Sequence, residues 1–290
     1  MTTFAFLGPQ GTYSDEAARL FAQQVSASTG IGALSFSERA TITEVFAAVT
    51  TGAADFGVVP IENSLEGSVN TTLDELAFGQ HKALILGERL LDIHHCLAVA
   101  PGTSRRDITA VVSHPQATGQ CTQWIGRNLP GRPHVAANST ADAVCQAMEH
   151  PGQAAIASVF AAELYGAEIL ERNIEDSANN QTLFALIAGE EIAATWQQAG
   201  RDPLAQYKTS VALFQQKNRP GALLMILSEF AYAGINLTWI QSRPTKQAMG
   251  EYMFFLDFEG REDDPEIRIA LESLRLKLRE VKVLGSYPAA

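Results

Sequence analysis

Residues 56–59 form a short apolar run that contains two valines and is followed closely by three polar residues. Such a run predicts a buried strand of a parallel sheet, and the carboxyl ends of those strands border the ligand crevice in open α/β folds. Glu62, Asn63 and Ser64 stand at this strand exit, where a carboxylate, an amide and a hydroxyl can orient a small oxygen-rich molecule. They are equally suited to an ordinary turn between a strand and a helix. This stretch alone leaves both interpretations open.

The 290 residues are more than one hydrophobic core usually supports, so we expect two domains. Short apolar runs alternate with helical patterns, which favours α/β architecture. The formal net charge of −11 argues against binding to nucleic acid or to an anionic membrane, because both require a basic face. No run approaches the roughly 20 apolar residues of a membrane span, and the first residues lack the pattern of a signal peptide.

The three cysteines, Cys96, Cys121 and Cys145, are widely spaced and form no Cys-x-x-Cys motif. This usage predicts a reducing, cytoplasmic location. His94, His95 and Cys96 are adjacent, but neighbours along a strand point to opposite faces and cannot converge on one ion. We therefore predict no metal site.

The first domain is predicted to span residues 1–190 as two α/β lobes. The first lobe has a strand over 3–7, and Ser14 is the expected N-cap of the helix that follows. The second lobe is expected to begin with one strand over 90–99, and a strand over 110–112 leads to Ser113. A loop over 173–181 precedes the strand 182–188. Crossings near 87–92 and 173–182 would enclose a cleft suited to a small molecule.

Residues 191–206 are polar and weakly patterned, and we interpret them as a linker. Residues 207–290 then read strand, helix, strand, strand, helix, strand. This order is typical of the split, ferredoxin-like α+β arrangement and predicts a second domain.

Several motifs in order go beyond such patterns: residues 8–14, 60–67, 113–116 with 120–121, and 180–184. Together they make the chain resemble prephenate dehydratases that carry a C-terminal ACT regulatory domain. The resemblance covers essentially the whole chain, and residues 221–224 and 241–244 resemble the two phenylalanine-sensing motifs of that ACT domain. It implies a two-lobed, periplasmic-binding-protein-like (type II) catalytic domain.

The resemblance also implies a lyase that needs no cofactor and acts in phenylalanine biosynthesis. Prephenate loses its ring hydroxyl as water and its ring carboxylate as carbon dioxide, which gives phenylpyruvate. Two alternatives stay open: dehydratase action on arogenate, and a non-catalytic amino-acid sensor on the same scaffold.

By family match, Thr182 is the acid or the hydrogen-bond donor to the leaving oxygen, although an unperturbed threonine hydroxyl is a poor acid. Glu62 is expected either to orient its neighbours or to supply the proton. His95 matches a family histidine, and it either contacts substrate or is a buried imidazole satisfied by backbone groups. The remaining expected catalytic or substrate-binding residues are Asn63, Ser64, Gln120, Thr12, Ser14, Ser113 and Phe184.

The resemblance further implies feedback regulation by L-phenylalanine at the ACT domain. Such domains pair their sheets across subunits, so a homodimer or homotetramer is expected. Two departures stand out: Leu183 occupies the place of a usual arginine, and Gln241 that of a usual glutamate. A nearby arginine or lysine is expected to replace part of the missing charge at Leu183. The expected effector-binding residues are Gly221, Ala222, Leu223, Leu224, Asn236, Gln241, Ser242, Arg243 and Pro244.

Overall fold

The computed structural model of the chain describes residues 1–30, 32–79, 82–199, 205–216, 220–247 and 249–290. Contacts divide the chain into two compact units. The first unit comprises Met1–Thr72 and Arg89–Phe184, and the second comprises Leu73–Glu88 and Ala185–Ala290. This division differs from the predicted domain boundary at residue 190, because a segment from the first half of the chain belongs to the second unit.

The first part of the chain alternates strands and helices. Its elements are β1 (Thr2–Leu7), α1 (Tyr13–Thr29), β2 (Leu34–Arg39), α2 (Ile42–Thr50), β3 (Phe56–Asn63), β4 (Gly67–Ser68), α3 (Asn70–Phe78) and β5 (Ala83–Asp92). Thr12, not Ser14, is the N-cap of α1: its side chain accepts a hydrogen bond from the Asp15 amide. The prediction for Ser14 was wrong because both hydroxyl residues fit the cap preference and only the backbone decides between them.

The middle of the chain forms the second lobe and then returns to the first sheet. Its elements are β6 (Cys96–Val99), β7 (Ala110–Ser113), α4 (Pro115–Gln120), α5 (Thr122–Asn128), β8 (His134–Ala136), α6 (Thr140–Glu149), β9 (Gln153–Ala157), α7 (Val159–Leu164), β10 (Glu168–Arg172), β11 (Gln181–Gly189) and α8 (Glu190–Ala199). The predicted single strand over 90–99 is wrong, because β5 and β6 belong to different sheets. Helix α8 occupies the start of the predicted linker, and residues 200–204 lie outside the described residues.

Two sheets build the two lobes. The first has the order β2-β1-β3-β11-β5, with the short β4 paired to β3, and the second has the order β10-β6-β9-β7-β8. The chain crosses between the sheets through residues 93–95 and 173–180. The two-lobed α/β arrangement predicted for the catalytic part is therefore confirmed, and both crossing segments lie within the first unit.

Alternating burial explains why the second sheet is covered on both faces. Cys96 and Ala98 belong to one buried cluster, with residues of α6 and α7, whereas Leu97 and Val99 belong to another, with residues of α4 and α5. Because successive side chains of a strand point to opposite faces, the continuous apolar run of β6 requires helices on both sides.

The last part of the chain has the predicted ferredoxin-like order. Its elements are β12 (Tyr207–Phe214), α9 (Ala222–Tyr232), β13 (Leu237–Pro244), β14 (Tyr252–Glu259), α10 (Pro265–Lys277) and β15 (Glu280–Pro288). They form a sheet of order β13-β14-β12-β15, whose pairs are antiparallel. Within the described residues, none of the helices is both long and apolar enough to cross a membrane.

Candidate functional site

A cavity of about 380 Å³ lies in the first unit, and both lobes contribute to its wall. The first lobe supplies Leu7, Gly8, Thr12, Tyr13, Ser14, Ala40 and Asn63. The crossing segments and β11 supply Ile93, His95, Asn180 and Thr182, and the second lobe supplies His114, Gln116, Ala117, Gln120, Asn138, Ser139 and Thr140. Among these described wall residues none is Asp, Glu, Lys or Arg. No group of His, Cys, Asp or Glu suited to hold a metal occurs among the described residues.

A row of hydrogen bonds runs along this wall from β11 to the second lobe. The side-chain amide nitrogen of Asn63 donates to Thr182 Oγ1 at 2.9 Å and to Asn180 Oδ1 at 2.8 Å. Asn180 donates in turn to Gln120 Oε1 at 2.9 Å. His95 Nε2 lies 2.9 Å from the same Gln120 oxygen. These five side chains, far apart in sequence, therefore form one continuous polar array.

The loop after β3 is fixed to the segment before β11 by further bonds. Asn63 Oδ1 accepts from the amides of Leu65 and Glu66, both at 3.0 Å, which sets the turn. Ser64 Oγ donates to the Asn179 carbonyl at 3.0 Å and accepts from the Gln181 amide at 2.9 Å. The polar residues at this strand exit thus form a turn and also place Asn63 in the wall, so both interpretations of the sequence apply.

His95 is a buried, neutral imidazole. Gln120 Oε1 only accepts, so His95 donates through Nε2, and its Nδ1 has no hydrogen-bond partner among the described residues. Burial lowers the pKa of His95, against the opposing effect of its hydrogen bond with Gln120. Glu175 orients this segment by accepting from the His95 amide at 2.9 Å and by pairing with His94 Nδ1 at 2.7 Å. Burial alone would raise the pKa of Glu175, but these hydrogen bonds hold it below its usual value.

Two helix N-termini border the cavity. Thr12 caps α1, and Ser139 caps α6 by accepting from the Asp142 amide at 2.9 Å. The first N–H groups of a helix have no intrahelical partner and carry partial positive charge, so such ends favour anions. The Asp15 carboxylate in the first turn of α1 is paired with Arg19 at 2.9 Å. These helix ends favour an anion in the cavity, and the carboxylates of Glu16 and Asp142 in the same first turns offset part of that effect.

Four predicted site residues do not line the cavity: Glu62, Ser64, Ser113 and Phe184. Ser113 is buried and donates to the Ile156 carbonyl at 2.7 Å, and Phe184 is 2% exposed in β11. The side chains of Ser113 and Phe184 therefore point into the interior of their lobes and not into the cavity. Roles for them in substrate contact stay predictions. The unusual Leu183 is also absent from the wall.

Sequence reasoning did not select seven polar residues of the wall: Tyr13, His114, Gln116, Asn138, Ser139, Thr140 and Asn180. Asn180 belongs to the motif at 180–184, so its amide could have been selected from the motif itself. His114 follows Ser113 in a second motif and caps α4. Tyr13 donates its hydroxyl to the His94 carbonyl at 2.5 Å, a contact that no spacing in the sequence indicates.

In the second unit, the side chains of two predicted effector residues are already bonded to carboxylates of the protein. Arg243 Nη2 lies 2.6 Å from Asp74 Oδ1 on α3, and Asn236 donates to Glu259 Oε1 at 2.8 Å. Gly221 has a φ of 80° at the start of α9, a conformation that glycine adopts without strain. Gln241 donates to the Ser242 carbonyl at 3.1 Å. Binding of an effector by these residues stays a prediction.

Further members of that predicted set differ in exposure. Leu224 is 69% exposed, whereas Ala222 is buried and Leu223 packs against the core of this unit. Along β13, Gln241 and Arg243 are half-buried, while Ser242 and Pro244 on the other face are exposed.

Comparison with known proteins places this chain among close relatives. A family model described as prephenate dehydratase matches residues 4–192, and an ACT domain model matches residues 210–276. A bifunctional chorismate mutase/prephenate dehydratase of Pseudomonas aeruginosa is 40% identical over 99% of this chain and 73% of its own length. A prephenate dehydratase of Mycolicibacterium gilvum is 39% identical over 99% of this chain and 91% of its own.

Two solved structures are similar to this chain over nearly its whole length, and they carry different functional names. A prephenate dehydratase from Arthrobacter aurescens, in complex with L-Phe, has a TM-score of 0.84 and 32% identity, covering 99% of this chain and 90% of that one. GqqA, described as a novel type of quorum quenching acylase, has a TM-score of 0.81 and 30% identity, covering 99% and 98%. The family model spans most of the chain, including every residue of the polar array. The chain therefore belongs to the prephenate dehydratase family.

Proposed function

We propose that this protein converts prephenate to phenylpyruvate, water and carbon dioxide. The observation that carries the proposal is the row of side chains from Thr182 through Asn63, Asn180 and Gln120 to His95 in the wall of one cavity. Family membership gives the reaction class, and this array gives groups that suit it.

The reaction needs positioning more than strong acid–base chemistry. The bond between the ring and its carboxylate breaks, and its electrons enter the ring as the carbon–oxygen bond to the hydroxyl breaks. The hydroxyl takes up one proton and leaves as water. Since carbon dioxide loss supplies the electrons and aromatisation favours the product, the protein must hold the dianion and assist the leaving oxygen.

Thr182 is suited to that assistance. Its oxygen already accepts from Asn63, so its own proton remains available to donate to another oxygen. Thr182 as a whole is 8% exposed, and in such buried surroundings a hydrogen bond to developing charge is stronger than in water. The helix N-termini of α1 and α6 would receive carboxylates of the substrate.

A direct test is turnover by the purified protein, with phenylpyruvate measured by its absorbance in alkali. Thr182→Val removes the hydroxyl with little change in shape, and Thr182→Ser retains it. We expect kcat of Thr182→Val to fall by about 10²-fold or more, the usual scale for losing a proton-transfer group, and Thr182→Ser to keep most activity. Absence of turnover by the unmodified protein would refute the proposal.

The other activities can be tested with the same preparation. Arogenate, which has an amino group in place of the ketone, is assayed in parallel, because no wall residue distinguishes the two substrates. Binding of prephenate without turnover would favour a sensor. For acylase action, suggested by the likeness to GqqA, an N-acylated substrate is used. The structure offers little support for that activity, since no serine or threonine hydroxyl bonds a histidine among the described wall residues.

We further propose that L-phenylalanine binds to the ACT domain and inhibits the enzyme. The supports are the ACT match and the relative from Arthrobacter aurescens that was solved with L-Phe. Assembly into a homodimer or homotetramer and a cytoplasmic location are parts of the same proposal. Inhibition curves with L-phenylalanine and sedimentation analysis of the full chain would test the first two parts.

A further inference from the structure

The cavity has no permanent cation in its wall. Prephenate carries two carboxylates, yet among the described wall residues there is neither lysine nor arginine. Burial lowers the pKa of His95, and its Nδ1 has no acceptor among the described residues, so the site favours the neutral imidazole. Backbone dipoles favour anions only modestly compared with a guanidinium that forms two parallel bonds to a carboxylate.

Arg39 is placed beside this wall by the register of the first sheet. It is the last residue of β2 and pairs with Leu7, a wall residue, in the parallel ladder. Its carbonyl accepts from the amide of Gly8 at 2.9 Å, and its neighbour in sequence is Ala40. Both Gly8 and Ala40 also line the cavity. Arg39 therefore stands at the carboxyl end of a strand and neighbours three wall residues along the backbone, although it is not itself one of the residues that line the cavity.

The guanidinium of Arg39 has no bonding partner among the described residues. It makes no hydrogen bond, ion pair or cation–π contact with any described residue, and its Nε is shielded from solvent without a partner. The neighbouring Glu38 points to the opposite face of the strand, where its carboxylate accepts from the Gln10 amide at 3.1 Å. Arg89, which also has a buried and unbonded Nε, still donates to Gln24 through Nη2.

An unbonded buried nitrogen on a charged side chain costs free energy, so its presence calls for an explanation. Among the described arginines, Arg39 is the one that is half-buried and lacks a partner. A ligand carboxylate would supply the missing acceptor, and a cation is what the wall lacks for a dianion. Among the described residues, Arg39 lacks an acceptor and the cavity wall lacks a cation, and both lie at the same edge of the first sheet.

We propose that Arg39 binds a carboxylate of the substrate and is the principal cation of the site. The inference rests on the proposed function, and it assigns a binding residue that lies outside the motifs of the chain. Arg39 contributes to substrate affinity and orientation rather than to proton transfer, so its loss raises KM more than it lowers kcat.

The test compares Arg39→Gln and Arg39→Lys with the control Arg106→Gln. Arg106 also lacks a side-chain partner among the described residues of the first unit, but it is exposed and is not one of the wall residues. We expect Arg39→Gln to raise KM for prephenate about tenfold or more, with kcat within about twofold. Arg39→Lys keeps the charge but loses the fork geometry, so its KM lies between. Arg106→Gln leaves both constants unchanged.

The dependence of KM on salt concentration gives a second measurement, which a purely structural role of Arg39 would not change. KM of the unmodified enzyme should rise with sodium chloride more steeply than KM of Arg39→Gln, because screening weakens the pair. Thermal unfolding should show that Arg39→Gln is at least as stable as the unmodified protein, because the unbonded Nε is removed. A KM of Arg39→Gln within twofold of normal, or the same change in Arg106→Gln, overturns the proposal. Absence of turnover in the unmodified protein instead refutes the proposed function, and Arg39 is then tested by prephenate-induced thermal shift.

Discussion

The side-chain nitrogen of Asn63 lies 2.9 Å from the hydroxyl oxygen of Thr182, although 119 positions separate the two residues. This bond fixes the direction of donation: Asn63 gives its proton, and Thr182 keeps its own for another acceptor. Asn63 is itself fixed by the turn amides that bond its oxygen. A flexible hydroxyl is thereby oriented before any ligand arrives.

Asn63→Asp tests this orientation with almost no change in shape. A carboxylate accepts only, so the Thr182 proton would turn toward the introduced carboxylate and away from the leaving oxygen. We expect kcat to fall by about 10²-fold, the scale for losing one oriented donor in a site. The control is Asn128→Asp, because Asn128 bonds the Trp124 carbonyl in α5 away from the wall. Similar losses in both variants would contradict the assignment.

Much of the fold was predictable because hydrophobic period and turn residues act locally. The ferredoxin-like order of the second domain followed from such patterns and is confirmed. The break between β5 and β6 was not predictable in this way, because the apolar run is nearly continuous and only pairing with different partners separates the strands. Helix α8 was missed for a similar reason, since one buried alanine, Ala193, is a weak signal.

The candidate site was predictable only where side chains and motifs coincide. Asn63, Gln120 and Thr182 were selected, and the structure brings them into one wall. Ser113 was selected by the same reasoning, yet it faces a lobe interior because strand direction is decided by packing. Arg39 lies in no motif, and its position becomes visible only through the register of β1 and β2.

The neutral state of His95 gives a prediction about acid stability. Its folded-state pKa is lowered, so below the unfolded value of about 6.5 the unfolded chain binds a proton that the folded one resists. Stability contributed by this group is therefore full above that value and declines as pH falls toward the folded pKa. Between about pH 7.5 and about pH 5.5, the free energy of unfolding of His95→Gln should therefore fall less than that of the unmodified protein.

Urea unfolding at the two pH values measures this difference. The control is His150→Gln, which removes a histidine from an exposed position at the end of α6. It should leave the pH dependence as in the unmodified protein. Parallel acid profiles for His95→Gln and the unmodified protein would show that His95 titrates normally in the fold.

The pair between Arg243 and Asp74 links the predicted effector motif to α3. Burial alone would raise the pKa of Asp74, but hydrogen bonds from Arg243 and Lys246 hold it below its usual value. The helix begins at Asn70, shortly after the loop of Asn63, and Thr72 Oγ1 donates to the Pro60 carbonyl at 2.6 Å. Movement of Arg243 would thus act on a helix whose first turn is bonded to β3.

Asp74→Asn should uncouple inhibition from turnover. We expect maximal inhibition by L-phenylalanine to fall, with at least about a fivefold rise in the half-inhibitory concentration, while kcat without effector changes less than twofold. Lys246→Ala is the matched control, because Lys246 contacts the same carboxylate at 2.8 Å but is largely exposed, where ion pairs contribute little. Unchanged inhibition in Asp74→Asn would exclude this link.

Gly11 is a contact point between the two lobes of the first unit. A Cβ at this position would lie 3.0 Å from the ring of Tyr165 and 3.3 Å from Ala141 Cβ, and φ is +85°. Tyr165 also donates its hydroxyl to the Gln10 carbonyl at 2.9 Å, so this is where the second lobe touches the loop before α1. A side chain at residue 11 would push the lobes apart beside the cavity.

Gly11→Ala should therefore lower the stability of the protein more than backbone strain alone predicts. Gly131→Ala is the control, because Gly131 has a φ of +73° and open space around its Cβ position. Both variants should lose about 1 kcal/mol through the left-handed backbone, and Gly11→Ala should lose further stability and raise KM for prephenate. Thermal unfolding and steady-state kinetics give the two measurements. Equal behaviour of the two variants would show that the lobes do not depend on this contact.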